Sequence, residues 1–273
     1  MAERRERFLV IGASSFYGSN FVKLLEEKNC EVATMSLREW EPGELEGHDY
    51  VVNFAAANIV AESWERPVNY LLVNTVSHTE IIEFLRKKKI KKYVHVSTPE
   101  VYGSVNSWVT EDQVLNPSTP YGVSKAATDM MLLAYYRAYD FPVVITRTAN
   151  IYGPGQPSNR LITKALEYKR RGETFKLDGK GASVRCFIHV RDACEATYLA
   201  TTKGRVGEVF HISSYQPLSI KALVERIGCK WEPTFERLGK DFCYMMDSTK
   251  IRKLGWQDRI SFEEGLKECE HQS

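Results

Sequence analysis

The stretch that decides the fold class is RFLVIGASSFYG, residues 7–18. A short apolar run ends at Ile11, and two glycines, Gly12 and Gly18, follow before a helical pattern begins. A glycine-containing turn between a first strand and a first helix lets the backbone approach a pyrophosphate that rests on the helix N-terminus. Ser15 stands where a middle glycine might, which narrows that approach. The pattern is weak alone, but its position at the first βα junction predicts a dinucleotide-binding turn.

Apolar, β-branched runs alternate with amphipathic helical patterns from this turn as far as FPVVITRTANIYG, residues 141–153. Continuous apolar strands separated by such helices indicate a parallel sheet covered on both faces. We therefore predict an α/β fold with a Rossmann-type, doubly wound parallel sheet in residues 1–159. Beyond residue 159 the alternation of apolar strands and amphipathic helices becomes less regular. Residues 160–273 are predicted to form a smaller C-terminal substrate-binding lobe, with parts near 185–212 returning to the main sheet.

The composition points to a small-molecule partner. The net charge of +2 and the charged fraction of 26% give no support to nucleic-acid binding or to a membrane surface. The six cysteines show no C-x-x-C pair or Cys/His cluster at metal spacing, so no metal site is predicted. The apolar run from Phe8 to Ile11 is too short for a signal peptide, and no stretch approaches the ~18 apolar residues of a membrane span. We expect a cytoplasmic protein.

A second pattern, YGVSK at residues 121–125, lies where a proline-bearing loop turns into a helix. Tyr121 and Lys125 are four residues apart and therefore share one face of the first turn. An ammonium group beside a phenol favours the phenolate, so the pKa of Tyr121 is predicted to fall from its reference value of ~10. Such a pair can remove a proton from a sugar hydroxyl while a nicotinamide takes the hydride.

Six motifs carry a resemblance to a known family. In chain order they are GASSFYG, DYVVNFAAA, STPEVYG, PYGVSK, TRTANIYGPGQ and SVRCFIHVRD. In these motifs, which span nearly the whole chain, it resembles the extended short-chain dehydrogenases/reductases. The branch is that of the NAD(P)-dependent sugar-nucleotide epimerases/dehydratases, nearest to the NDP-glucose 4,6-dehydratases. The resemblance implies an enzyme that acts on a nucleotide-diphosphate hexose.

The resemblance also implies roles for the matched residues. Thr98 would hydrogen-bond the sugar 4-hydroxyl, Tyr121 would act as the base, and Lys125 would hold the nicotinamide ribose while tuning Tyr121. Asn150 and Arg185 would bind the substrate diphosphate, for which the planar fork of a guanidinium is well suited.

His211 departs from the family pattern. It lies in GEVFHIS, a stretch in which the family usually has an asparagine. The details of nucleotide binding are therefore open, and His211 is equally a candidate for a core histidine satisfied by the backbone. No catalytic role is predicted for it.

Cofactor contacts are expected at the first glycine turn, beyond the second strand and after the third. Besides Tyr121 and Lys125, the predicted cofactor-binding residues are Gly12, Ser14, Ser15, Phe16, Tyr17, Gly18, Ser36, Arg38, Ala55, Ala56 and Asn74. The stretch EVATMSLREW does not offer, at its strand end, the acid that accepts the ribose hydroxyls of NAD. Arg38 suits a ribose 2′-phosphate or is an exposed loop arginine, so the cofactor is NAD or NADP.

The reaction depends on STPEVYG, residues 97–103. In the 4,6-dehydratases the hydroxyl residue is followed by Asp-Glu, and Glu100 resembles their base, which removes the C5 proton. Pro99 has no proton to give and cannot be their acid. A 4,6-dehydratase elimination through a 4-keto intermediate is the first choice. The alternatives are a 4-epimerase, an NADPH-dependent 4-keto-sugar reductase and, from another class, a non-catalytic NADP-binding scaffold protein.

Two helical patterns, residues 76–88 and 123–139, correspond to the helices that pair with their copies in relatives. The second carries more apolar surface than one face needs for its own core, including Met130 and Met131. A homodimer is expected, and full burial of these side chains in the monomer is the alternative.

Overall fold

The structure is a computed structural model that describes residues 4–38, 40–236 and 241–271. The described residues contain eleven strands: β1 (Arg7–Ile11), β2 (Glu31–Met35), β3 (Tyr50–Asn53), β4 (Lys92–Ser97), β5 (Val143–Thr148), β6 (Asn150–Tyr152), β7 (Phe175–Asp178), β8 (Val184–His189), β9 (Val209–Ile212), β10 (Pro217–Ser219) and β11 (Trp231–Thr234). The α-helices are α1 (Phe16–Glu27), α2 (Val60–Glu65), α3 (Pro67–Leu71), α4 (Ser77–Leu85), α5 (Pro120–Tyr139), α6 (Leu161–Arg171), α7 (Val190–Lys203), α8 (Ile220–Ile227), α9 (Thr249–Arg252) and α10 (Phe262–His271). A π-helical turn, Leu72–Val76, joins α3 to α4, and a 3₁₀ turn, Pro99–Tyr102, follows β4.

The main sheet has six strands in the order β2-β1-β3-β4-β5-β9, and every neighbouring pair is parallel. Side chains of β1 alternate between two cores: Phe8 and Val10 belong to one hydrophobic cluster, Leu9 and Ile11 to another. Because successive side chains of a strand point to opposite faces, this division shows that both faces of the sheet are covered. The predicted doubly wound α/β fold is confirmed.

The order of the strands also places the first βα turn. The chain steps outward from β1 to β2 and then returns past β1 to β3. Where the order reverses in this way, the carboxyl ends of the strands border a crevice, which is where open α/β sheets bind ligands.

The later part of the chain contributes to three sheets. Strand β9 completes the main sheet beside β5, whereas β8 lies between β10 and β6 in a three-stranded sheet. Strands β11 and β7 pair separately, and a third hydrophobic cluster packs α6, α8 and α10 around them. The domain boundary at residue 159 stays a prediction. Within the residues that the structure describes, no helix combines the length and the apolar character needed to cross a membrane.

Candidate active site

A side chain at either glycine of the first turn would collide with neighbouring backbone. Gly12 has a φ of +79°, and a Cβ built on it would come 2.6 Å from the Ala55 nitrogen. A Cβ on Gly18 would come 2.4 Å from the Gly12 oxygen. The Ser15 hydroxyl caps α1: it accepts from the Gly18 nitrogen at 3.0 Å and donates to the Gly12 oxygen at 2.8 Å. The turn therefore keeps its backbone bare at the helix N-terminus, the form that suits a pyrophosphate.

Three further predicted cofactor residues lie at this edge of the sheet. The Gly12 nitrogen donates to the Met35 oxygen at 3.0 Å, which brings the end of β2 beside the turn. Ser36 and Arg38 are exposed there, and the Arg38 nitrogen donates to the Ser36 hydroxyl at 3.2 Å. Ser14 is exposed at the turn itself.

The side chain of Tyr17 is bonded within the protein, and the cofactor contact at this residue stays a prediction. Its hydroxyl donates to the Ala193 oxygen at 2.9 Å and accepts from the Thr197 hydroxyl at 2.7 Å, both on α7. Phe16 is partly buried against the same core. Tyr17 therefore fastens α1 to α7 on the side of the core, because burying a phenol requires partners for its hydroxyl.

The side chain of Asn74 is also bonded within the protein. It is fully buried, its oxygen accepts from the Ala57 nitrogen at 2.8 Å, and its amide donates to the Ala57 oxygen and the Ser124 hydroxyl. With these bonds the amide connects the segment after β3 to α5. Ala55 and Ala56, in that segment, remain partly accessible, and Ala55 lies directly against Gly12. The cofactor contact of Asn74 stays a prediction.

Tyr121 and Lys125 lie in the first turns of α5, which begins because Thr119 caps it and Pro120 occupies its first position. Lys125 is buried, and its ammonium donates to the Val96 oxygen at 2.8 Å and to His95 Nε2 at 2.9 Å, both on β4. Burial lowers the pKa of Lys125 to about 8, and the Asp129 carboxylate acts in the opposite direction. Lys125 is therefore still an ammonium at neutral pH.

The predicted fall in the pKa of Tyr121 is wrong for the protein in this form. Burial raises the pKa of Tyr121 above its usual value, the charge of Glu100 raises it further, and a hydrogen bond with Thr98 acts against both. Lys125 directs its ammonium to β4 instead of to the phenol. Tyr121 thus holds its proton here.

The stretch around Pro99 forms a rigid corner beside Tyr121. Thr98 has extended backbone and caps the 3₁₀ turn, and its hydroxyl accepts from the Glu100 nitrogen at 3.3 Å. Pro99 occupies the first position of the turn, where its missing N–H costs nothing. Glu100 is part-buried, and its charge raises the pKa of both Tyr121 and Tyr244. The corner therefore brings a hydroxyl, a carboxylate and a phenol together.

Arg185 lies on β8 with its guanidinium stacked 4.0 Å from the centre of the Tyr244 ring. It donates to the oxygens of Val184 at 2.8 Å, Phe242 at 3.1 Å and Asp241 at 2.6 Å. These bonds hold the guanidinium in one orientation and leave its other N–H groups for an anion. Asn150, its predicted partner, is exposed at the start of β6.

Tyr244 is a site residue that the sequence reasoning missed. It is buried against Arg185 and within the electrostatic reach of Glu100. Its hydroxyl donates to the Asp241 carboxylate, which also accepts from the Ser118 hydroxyl at 2.6 Å. No motif surrounds Tyr244 in the sequence, so only the fold brings it to the site.

His211 is a core histidine, which is one of the two interpretations that the sequence allows. It is fully buried: Nδ1 donates to the Asp247 oxygen at 3.1 Å, and Nε2 accepts from the Tyr102 hydroxyl at 2.6 Å. Burial, followed by the charge of Arg147, lowers its pKa to about 3. Arg147 in turn donates to Tyr102 and forms an ion pair with Asp129 at 2.9 Å, so His211 ends a buried polar chain that reaches α5.

Comparison with known proteins gives a consistent result. Residues 45–269 match the family described as GDP-mannose 4,6 dehydratase. The low-salt glycan biosynthesis protein Agl12 of Haloferax volcanii is 32% identical over 96% of both chains. A dTDP-glucose 4,6-dehydratase of Streptomyces niveus is 36% identical over 81% of this chain and 69% of its own.

Solved structures agree with these relatives. The dTDP-glucose 4,6-dehydratase DesIV of Streptomyces venezuelae, determined with NAD bound, has a TM-score of 0.92 and 31% identity and covers 97% of this chain and 96% of its own. A UDP-glucose 4-epimerase of Thermotoga maritima, determined with UDP-glucose, has a TM-score of 0.90 and 27% identity, covering 97% of this chain and 98% of its own.

Proposed function

Because the chain belongs to the family described as GDP-mannose 4,6 dehydratase, within the extended short-chain dehydrogenases/reductases, we propose that it is an NAD- or NADP-dependent nucleotide-sugar 4,6-dehydratase. Its substrate is a nucleotide-diphosphate hexose, which passes through a 4-keto intermediate. The observation that carries the proposal is the position of Glu100, fixed in the 3₁₀ turn one residue beyond Pro99 and electrostatically coupled to Tyr121.

The cofactor site is proposed at the glycine turn, because Gly12 and Gly18 pack too closely on neighbouring backbone to carry a side chain, which leaves the backbone of the turn bare at the start of α1. A nicotinamide cofactor supplies, when bound, the hydride acceptor that oxidation at C4 requires. Among the chain's own residues, the turn, Ser36 and Arg38 lie at that edge, and the Lys125 ammonium is buried against β4.

The proton transfers are assigned to Thr98, Glu100 and Tyr121. Thr98 orients the 4-hydroxyl, and Tyr121 removes its proton once the phenol has become a phenolate. The 4-ketone acidifies the C5 proton, which the Glu100 carboxylate removes as the C6 hydroxyl leaves. Since Pro99 has no proton, the leaving group takes its proton from Glu100 itself, from another group or from water. Uptake of the hydride at C6 and of a proton at C5 would then complete the net loss of one water. Arg185, held by three carbonyls, binds the diphosphate with its remaining N–H groups, and Asn150 assists it.

A panel of dTDP-, UDP-, GDP- and CDP-hexoses tests the proposal. The purified protein should convert at least one of them to a product that has lost water, detected by mass spectrometry, and Tyr121→Phe should abolish that conversion. An isomer of unchanged mass would identify a 4-epimerase instead. Consumption of NADPH with a gain of two hydrogens on 4-keto sugars would identify a reductase, and the dehydratase proposal would then be wrong.

We also propose that the protein is a homodimer. Val68 on α3, Leu72 in the π-helical turn and Met130 on α5 are between half and two thirds exposed, and α3 and the π-helical turn pack against α5. A second copy covering this face would bury apolar surface that a monomer leaves in water. Light scattering after size exclusion should give twice the chain mass, and Met130→Asp should give a monomer, whereas Val114→Asp, at another exposed apolar residue, should not. The cytoplasmic location remains a prediction.

A further inference from the structure

We propose that His95 is a positioning residue for Lys125: its neutral ring accepts a hydrogen bond from the Lys125 ammonium through Nε2 and keeps that ammonium charged and fixed beneath the cofactor site. The inference rests on the proposed function only for the role of Lys125. The hydrogen bond itself is a property of the fold, and NMR tests it without turnover.

The geometry shows two adjacent acceptors on β4. Lys125 Nζ lies 2.9 Å from His95 Nε2 and 2.8 Å from the Val96 oxygen. The side chains of Lys125 and His95 are almost completely buried, so water does not offer the ammonium an alternative partner. An ammonium group can only donate, which requires His95 Nε2 to accept and places the ring proton on Nδ1.

The charges around the pair determine its protonation. The titratable or charged groups that face it from the packed elements are His78 on α4, Tyr121 and Asp129 on α5, Arg147 on β5, Glu100 and Tyr102 on the 3₁₀ turn, and Tyr70 on α3. Burial, followed by the positive charge of Lys125, lowers the pKa of His95 well below its usual value. His95 is therefore neutral at the pH at which Lys125 is charged, and the two side chains attract rather than repel each other.

The position of Asp129 explains why the lysine needs this second partner. The carboxylate is committed to Arg147 through Oδ2 at 2.9 Å, and its other oxygen lies 3.8 Å from His95 Nε2. The ammonium therefore contacts His95 directly, whereas the Asp129 carboxylate is engaged by Arg147. Without the ring, Lys125 would keep one neutral acceptor, the Val96 oxygen, in a buried environment that disfavours its charge.

The first test follows cofactor affinity with pH, and does not need turnover. NAD binding, read by quenching of tryptophan fluorescence, should weaken in the wild type as pH rises past about 8, where Lys125 loses its proton. His95→Leu removes the acceptor at similar volume, so the charged form of Lys125 is less stabilised and the weakening should begin about one pH unit lower, a tenfold change in proton affinity. His95→Gln keeps an acceptor, so the pH at which NAD binding begins to weaken should fall by no more than about half a pH unit.

The matched control is His78→Gln. His78 is equally buried, its ring lies 5.1 Å from that of His95, and it bonds the Ala55 oxygen instead of the lysine. His78→Gln should therefore not change the pH at which NAD binding begins to weaken. The same pH dependence in His95→Leu and the wild type would overturn the proposal.

The second test is read on the wild type, and a variant serves only to assign the signals. Nitrogen-15 NMR of histidine-labelled wild type, with the His95 signals assigned from His95→Gln, should show a neutral ring with its proton on Nδ1 from pH 6 to 9. The Nε2 signal should shift as Lys125 titrates. A proton on Nε2 at pH 7 would exclude acceptance from the ammonium and disprove the inference, even if the sugar panel succeeds. Failure of the panel with a correct Nε2 signal would reject only the function.

Discussion

At the scale of single residues, the reaction depends on the two residues directly after Thr98. Pro99 begins the 3₁₀ turn and is buried, and it holds Thr98 in extended backbone, as a residue before proline prefers. The proline therefore supplies rigidity where the dehydratase pattern has an acid. Glu100 supplies the carboxylate whose charge acts on Tyr121.

Glu100→Gln separates the two halves of the proposed reaction. The amide cannot remove the C5 proton, so incorporation of solvent deuterium at C5 should vanish and dehydration should fall by about 10²–10⁴-fold, while oxidation at C4 persists. Product analysis by mass spectrometry and NMR measures both. Glu173→Gln, an exposed glutamate before β7, serves as the control. Unchanged deuterium incorporation in Glu100→Gln would remove Glu100 from the mechanism.

Arg38 decides between the two cofactors. If its guanidinium binds the ribose 2′-phosphate, Arg38→Ala should weaken NADP binding about tenfold to a hundredfold, the size of a charge-assisted hydrogen bond, and leave NAD binding unchanged. Calorimetric titration with each cofactor gives both constants. Arg171→Ala, an exposed arginine at the end of α6, should change neither. Equal effects on NAD and NADP would show that Arg38 does not recognise the phosphate.

At the scale of elements, α5, β5 and the 3₁₀ turn are tied together by a buried polar chain. Asp129 on α5 pairs with Arg147 on β5, and Arg147 donates to Tyr102 at the end of the turn that carries Glu100. The Tyr102 hydroxyl then donates to His211 on β9. The positions of Lys125 and Glu100 are therefore linked through one set of hydrogen bonds.

Asp129→Asn tests this link. It leaves the Arg147 charge buried without its partner and should lower the free energy of unfolding by about 3–5 kcal/mol, measured by urea denaturation. Replacing both members, Asp129→Leu with Arg147→Met, removes the unpaired charge and should recover much of that loss. A double variant as unstable as Asp129→Asn would indicate that packing around the pair, rather than its charge, is what matters.

The elements also show which features of the fold can be predicted from the sequence. The strand, turn and helix at residues 7–27 can be predicted from local pattern, because glycine and cap requirements act over a few residues. The side-chain partners of Tyr17 and Asn74 cannot be predicted in this way because they are distant: Tyr17 bonds residues on α7, and Asn74 bonds Ala57 and Ser124. A polar side chain near a motif does not reveal which way it faces until the packing is known.

At the scale of the whole molecule, four histidines among the residues that the structure describes are buried in a neutral state. Burial lowers the pKa of His78 and His211 to about 3, of His189 to about 4, and of His95 well below its usual value. In the unfolded chain each would titrate near 6.5. Between about pH 6.5 and 4 the unfolded state therefore binds more protons than the folded state, and stability falls as the pH falls.

This linkage predicts a steep loss of stability in mild acid, before the carboxylates begin to titrate. Near pH 6.5 each buried histidine should lower the free energy of unfolding by about 0.7 kcal/mol per pH unit, because the unfolded ring is half protonated there, and near pH 5 by about 1.4 kcal/mol per pH unit. Urea denaturation at several pH values measures the slope. His78→Gln removes one of the four and should reduce the slope by about a quarter, whereas His271→Gln, at an exposed residue, should not. A wild type equally stable at pH 7 and pH 5 would mean that these rings find water or protons in the folded protein, contrary to the packing around them.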